Sequence, residues 1–246
     1  MTALAYSTLQ DFPWATSIVA VKASESFEYY DDFYRHMVDT LPQNSPETRR
    51  RYAELVQRRF FPDRSLDGLV SIVWRAYHDE QILTDLMRVV ALEVEPVIAQ
   101  FALAHVLPQL PGHVLDPAVV RRFVQETFGE FKQNSYERLL TTCRHLGFVG
   151  RYGGDFVIER IVPSPNALLI LLHDRLAPTP RIIRLSEILA TQWWRFLGVR
   201  EPDVVRQVLR DAESASLLSR YMKVDELEQV TTRYSRQEYL ERALRL

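Results

Sequence analysis

The chain has 246 residues, 47% apolar and 25% charged, with a formal net charge of −2. That length supports a full core in one domain or in two to three small ones, and the near-neutral charge excludes a global attraction to polyanions, so any nucleic-acid site must be a local patch. The single cysteine, Cys143, excludes an internal disulfide and a cysteine-built zinc site, and it fits a reducing cytoplasm.

The first 44 residues hold two basic and six acidic groups. No basic run leads into an apolar stretch there, so no signal peptide is expected. Residues 15–40 read as two helices carrying an acidic and aromatic patch, EYYDDFY, at 28–34. Its aromatics, Phe27, Tyr29, Tyr30, Phe33 and Tyr34, suit a protein-docking surface, because exposed rings favour interfaces. LPQNSP (41–46) is a turn, and Ser45 then caps a helix with Pro46 at its first position.

That helix, SPETRRRYAELVQRRF (45–60), holds five arginines. Tyr52, Leu55, Val56 and Phe60 form its apolar stripe. Glu47 with Arg51, and Glu54 with Arg58, are i,i+4 pairs worth about 0.2–0.5 kcal/mol each. Arg49, Arg50 and Arg59 have no such local explanation. Arg49 and Arg50 also sit at the first turn, where the helix dipole disfavours cations and an anionic partner would relieve the conflict. A solvated, salt-bridged face is the competing explanation.

Further helices are expected at 66–77, 79–92 and 94–107. The apolar run 89–107 contains Glu93, Glu95 and Pro96, so it reads as buried rather than membrane-spanning; NALLILLH (166–173) is too short to span. PQLPGHVLDP (108–117) has the prolines and glycine of a linker.

The pattern then changes. Helices at 117–130 and 135–146 lead into FVGRYGGDFVIERI (148–161), two β-rich runs around Gly153-Gly154. Helix, helix, hairpin is the order of a winged helix-turn-helix. In the second helix Tyr136, Leu139, Leu140, Cys143 and Leu146 make the apolar stripe, and Arg138, Thr141, Thr142 and His145 face the other way. These groups donate to phosphates or base edges, and Arg151 and Arg160 take wing positions on the hairpin. A winged domain used only for protein contacts is the alternative. Residues 185–246 repeat the theme more weakly, with helices at 186–197 and 202–213 and a short hairpin or extended stretch near 217–234. No internal sequence repeat is found.

Fold class is therefore expected to be mainly α, in three parts: a helical N-terminal domain (1–115), a winged-helix unit (116–180) and a C-terminal helical module (181–246). Within 186–197, one of Trp193 and Trp194 is expected in the core and the other part-exposed, since adjacent residues point about 100° apart. His78-Asp79 and His173-Asp174 invite a metal phosphohydrolase reading but lack further ligands, and read as helix-end or surface histidines. No nucleophile elbow, phosphate-binding glycine loop or zinc-protease helix motif occurs, so neither a catalytic residue nor a cofactor or metal is expected. Twenty-seven of the thirty basic residues are arginine, which suits phosphate recognition and equally suits a GC-rich genome.

Two stretches carry a family resemblance. The helix start S-x-x-T-R-R-R at Ser45–Arg51 and the S-x-x-R-L-L…L-G-F segment at Ser135–Phe148 resemble the BrxA family, the small accessory proteins of BREX phage-exclusion systems. The likeness runs over roughly residues 15–215 in pattern, with no sharp catalytic signature. It implies a non-enzymatic, cytoplasmic protein binding double-stranded DNA, with a NusB-like helical body joined to winged-helix elements. The partners implied are other subunits of a phage-defence complex, without a membrane. Arg49, Arg50 and Arg59 would then serve the first basic helix, and Arg138, Thr142, His145 and Arg151 the helix-and-wing unit. The acidic N-terminal segment suggests a partner-facing surface. A protein adaptor and an antitermination-like RNA binder stay open beside this reading. All of it requires the two arginine-bearing stretches to meet in space.

Overall fold

The computed structural model describes residues 8–241. They are mainly helical, with thirteen α-helices and two small antiparallel sheets. The first half is a helical bundle: α1 (Trp14–Ala23), α2 (Tyr30–Thr40), α3 (Pro46–Phe60), α4 (Leu69–Tyr77), α5 (Glu80–Val94) and α6 (Pro96–Phe101). Local chemistry sets its ends. The Ser45 hydroxyl accepts the Thr48 N–H at 3.1 Å to cap α3, and the Asp79 carboxylate accepts the Ile82 N–H at 2.9 Å to cap α5. Pro96 has no N–H to continue α5, and the chain bends by 105° into α6 and a π-helical segment, Ala102–Val106.

α5 is the central post. Nine of its fifteen residues are buried, and it packs against α3, α4, α6, α9 (Pro165–Arg175) and α11 (Trp193–Phe196). No single helix among the described residues is long and apolar enough to cross a membrane. The apolar length of α5 and α6 goes into a hydrophobic cluster that runs from Leu9 to Leu240.

After residue 112 one topology occurs twice. In the first unit the extended residues 113–115 pair with β2 (Asp155–Ile158) through the Val114↔Val157 bridge. Then come α7 (Pro117–Phe128), α8 (Gln133–His145) and β1 (Val149–Tyr152), which pairs with β2. Gly153 (φ 57°) and Gly154 (φ 106°) make the hairpin turn, both in the left-handed region that a two-residue I′ loop requires. In the second unit β3 (Ile182–Arg184) precedes α10 (Leu185–Ala190), α11 and α12 (Pro202–Ser214). β4 (Leu218–Val224) and β5 (Leu227–Thr232) then form a hairpin, and the sheet order is β3-β5-β4. α13 (Arg236–Glu241) returns against α9 and α4. The repeat is topological only, which is why the sequence carries no repeat to find.

Several expectations need correction. Residues 181–246 hold a three-stranded sheet and are not a purely helical module. The helix expected at 186–197 breaks at Thr191-Gln192, and Trp193 and Trp194 are both buried, because short α11 is wedged against α5. The aromatic patch is mostly core: Phe33 is fully buried with Phe61 at 4.7 Å, Tyr30 is buried beside them, and Tyr29 alone of the five is well exposed. Cys143, by contrast, lies in the core as its place on the apolar stripe predicts, and burial pushes its thiol up to about 12.

A single ion pair ties the post to both units. On α5, Asp85 and Arg88 are buried and paired at 2.8 Å. Arg88 donates to the Leu146 carbonyl of the first unit at 2.7 Å and to the Leu197 carbonyl of the second at 3.4 Å. Asp85 accepts the Ser164 N–H at the start of α9 at 2.7 Å.

Candidate nucleic-acid interface

The arginine-rich helix and α8 do meet, and a short strap lies between them. Residues Leu9–Pro13 cross the gap with Leu9 and Phe12 buried. The fully buried Ser135 hydroxyl accepts the Leu9 N–H at 3.2 Å, and Arg138 donates to the Leu9 carbonyl at 2.7 Å. Arg58 donates to Gln10 Oε1 at 2.7 Å, and Arg59 to the Asp11 carbonyl at 3.0 Å. The Asp11 carboxylate takes one guanidinium from each helix. Arg51 of α3 reaches Oδ2 at 2.7 Å, and Arg138 of α8 reaches Oδ1 at 2.9 Å.

This overturns part of the sequence assignment. Arg59 is 1% exposed, stacks over Phe12 at 4.7 Å and pairs with Glu95 at 2.7 Å, so it cannot touch a ligand. Burial lowers its pKa and Glu95 opposes the shift. Arg58 also goes to Glu95, at 2.5 Å. Glu95 holds both arginines because it stands at the Pro96 break, at the start of α6, where the chain turns back toward α3. The anticipated Glu47–Arg51 and Glu54–Arg58 pairs therefore give way to tertiary partners. Thr142 is buried too, since α8 is covered on more than one side.

Arg49 turns back to the Gln43 carbonyl at 3.2 Å, ahead of its helix, and Arg50 lies with Glu54 near the Tyr34 hydroxyl. Neither joins α8. The first-turn conflict with the helix dipole is met by a loop carbonyl at Arg49.

An outward row of α8 remains. Asn134, Arg138, Thr141 and His145 line a cleft of about 520 Å³ with Asp11, Phe12, Pro13, Tyr52, Glu137 and Thr142. Burial lowers the pKa of His145, partly offset by the Phe12 backbone, and Arg144 lowers it further. Arg144 continues the same row and is exposed. Arg151 on β1 is exposed and sits 5.9 Å from the Phe156 ring; Arg160 is exposed too but lies past the end of β2 at Ile158, off the hairpin on which the sequence placed it. Among the described residues Arg144, Arg151 and Arg160 make no ion pair, whereas Arg51 and Arg138 share Asp11.

Sequence reasoning missed Arg51, Arg144 and Asp11. Arg144 was legible, three residues beyond Thr141 on one helical row. Arg51 was assigned to Glu47, and nothing local links Asp11 to partners 40 and 127 positions away.

The two His-Asp pairs hold no site. His78 ends α4 in a left-handed conformation (φ 51°) and contacts Glu25 at 2.8 Å. His173 stands in the last turn of α9 but not at the surface; it is fully buried and stacked on Tyr239 at 4.1 Å. Burial pushes it down to about 4, against the Tyr234 and Ala177 backbone. No group of three potential metal ligands occurs among the described residues.

No protein-family model, no curated protein and no solved structure matches this chain.

Proposed function

We propose that this chain is a duplex-DNA-binding accessory protein of a BREX-type phage-defence system and that its first unit is a winged helix-turn-helix. The observation that carries this reading is the outward row Arg138, Thr141, Arg144 and His145 on α8, beside a hairpin bearing Arg151 and followed by Arg160; Arg144, Arg151 and Arg160 have no acidic partner among the described residues. The order strand, helix, helix, hairpin supports the winged-helix part. The NusB-like assignment of the bundle and the defence role rest on the resemblance at Ser45–Arg51 and Ser135–Phe148. Affinity comes from arginine–phosphate contacts with little base readout, so it falls steeply with salt.

Titration of labelled duplex DNA, single-stranded DNA and RNA at low and physiological salt tests the reading. Preference for duplex, weakening by about tenfold or more over that range, is expected. Preference for RNA, or no binding to any of the three at low salt, overturns it. Deletion of the gene from a host carrying such a system should abolish phage exclusion.

A protein-adaptor role is favoured for the second unit by one observation. α12 and its hairpin expose Val204 (46%), Val224 (54%) and Leu227 (44%) among Asp203, Asp225 and Glu226. That surface suits a partner of apolar and basic character and repels phosphate.

A further inference from the structure

The two motifs that carry the sequence resemblance do the same mechanical thing: Arg51 from one and Ser135 and Arg138 from the other hold the strap Leu9–Asp11. Four arginines close around it, but they form two layers. Arg59 lies inside, 1% exposed, and Arg58 lies part-exposed beside it; both are tied to Glu95. Arg51 and Arg138 lie outside, with side chains 57% and 32% exposed, and their bound carboxylate is 27% exposed. A carboxylate bridging two guanidiniums from separate helices has the charge and the two-oxygen geometry by which a phosphodiester bridges arginines. The cleft beside it adds Asn134, Thr141 and Tyr52 as neutral donors.

We propose that the Arg51–Arg138 pair is a phosphate-binding site whose internal occupant is Asp11, so that a nucleic-acid phosphate binds by displacing the Asp11 side chain while the strap backbone stays clamped. The strap then sets the affinity of the whole surface. It withholds its two outer cations from weak anions and yields them to a polyanion that brings several phosphates at once. This inference rests on the duplex-DNA reading for its ligand, and its geometry rests on the strap alone. The inner pair does not move, because withdrawing Glu95 from Arg59 would leave a charge buried.

The test uses the full chain with Asp11→Asn, which keeps the side-chain shape and removes the charge. Duplex DNA should bind about tenfold tighter at low salt, with a salt slope steeper by one to two, as two guanidiniums become free. Inorganic pyrophosphate should also bind the variant more tightly than it binds the parent chain. Glu137→Gln is the control: this acid lines the same cleft and bonds Gln133 rather than either arginine. An equal gain from both variants would mean net charge alone is acting and overturns the proposal. So does an Asp11→Asn gain that survives Arg51→Ala with Arg138→Ala, or unchanged pyrophosphate and duplex binding in a variant that melts like the parent. If neither the parent nor the variant binds duplex yet the pyrophosphate gain appears, the anion site stands and the DNA reading falls.

Discussion

The two units share a strand, helices and hairpin in the same order, with two helices in the first and three in the second, and differ in what they show to solvent. On α8 the exposed row carries Arg138, Arg144 and His145 against Glu137, the hairpin carries Arg151 beside its Gly-Gly turn, and Arg160 follows it. On α12 the exposed row carries Asp203, Val204, Gln207, Arg210 and Asp211, and Arg206 is spent on Asp203 at 2.8 Å and Glu228 at 2.7 Å. The tip of its hairpin is Val224-Asp225-Glu226-Leu227. A shared backbone plan sets where a helix and a hairpin stand, and the side chains on it set the charge they present.

The largest expected effect breaks what the units have in common. Arg88→Ala removes the donor to Leu146 and Leu197 and leaves Asp85 buried without its cation. It should cost about 3–5 kcal/mol by denaturant unfolding, with hydrogen exchange rising in both units rather than in one.

Next come two histidines, His145 in the first unit and His173 in the helix that links the units. His173, buried in α9, has a folded pKa of about 4 against an ordinary value of 6.5. The unfolded chain therefore binds a proton in that window that the folded chain refuses. Stability is full above the unfolded value and falls as pH drops toward 4, by about 3 kcal/mol from this group. The difference between the parent and His173→Phe across pH 4–7 should show that slope. His145 is half-buried at the cleft and its pKa is also lowered, so His145→Gln should remove a shallower slope of the same sign.

Surface charge separates the units more directly. Replacing Arg51, Arg138, Arg144 and Arg151 together by alanine should weaken duplex binding by about a hundredfold or more at low salt and cut the salt slope by about one per arginine. Arg210→Ala with Arg220→Ala in the second unit should change binding by about twofold at most, because that unit also exposes Asp203, Asp211, Asp225 and Glu226, whose charge opposes phosphate. A large loss from the second pair would refute the division of labour.

Most of the secondary structure was readable. Ser45-Pro46 starts α3, Pro96 breaks the chain, Gly153-Gly154 turns the first hairpin, and the stripe Leu139, Leu140, Cys143 and Leu146 is the buried side of α8. The candidate site was readable only in part. Thr141, His145, Arg151 and Arg160 are solvent-reaching, as spacing suggests, and Arg138 lies in the cleft with its charge already engaged. Arg59 failed because a helical wheel separates apolar from polar faces and cannot tell a solvated arginine from one covered by a distant strap. Thr142 failed because the wheel allows one buried side, and α8 has more than one.

By itself the sequence determined where helices begin and end, where the hairpin turns and which stripe of each helix is apolar, since capping, proline geometry and periodicity act over a few residues. Only the tertiary structure decided which arginines remain available to a ligand. Asp11 and Glu95 choose among guanidiniums far away in the chain, and that choice is made by which backbones pack side by side. Coulomb attraction depends on distance through space, and the order of residues does not record that distance.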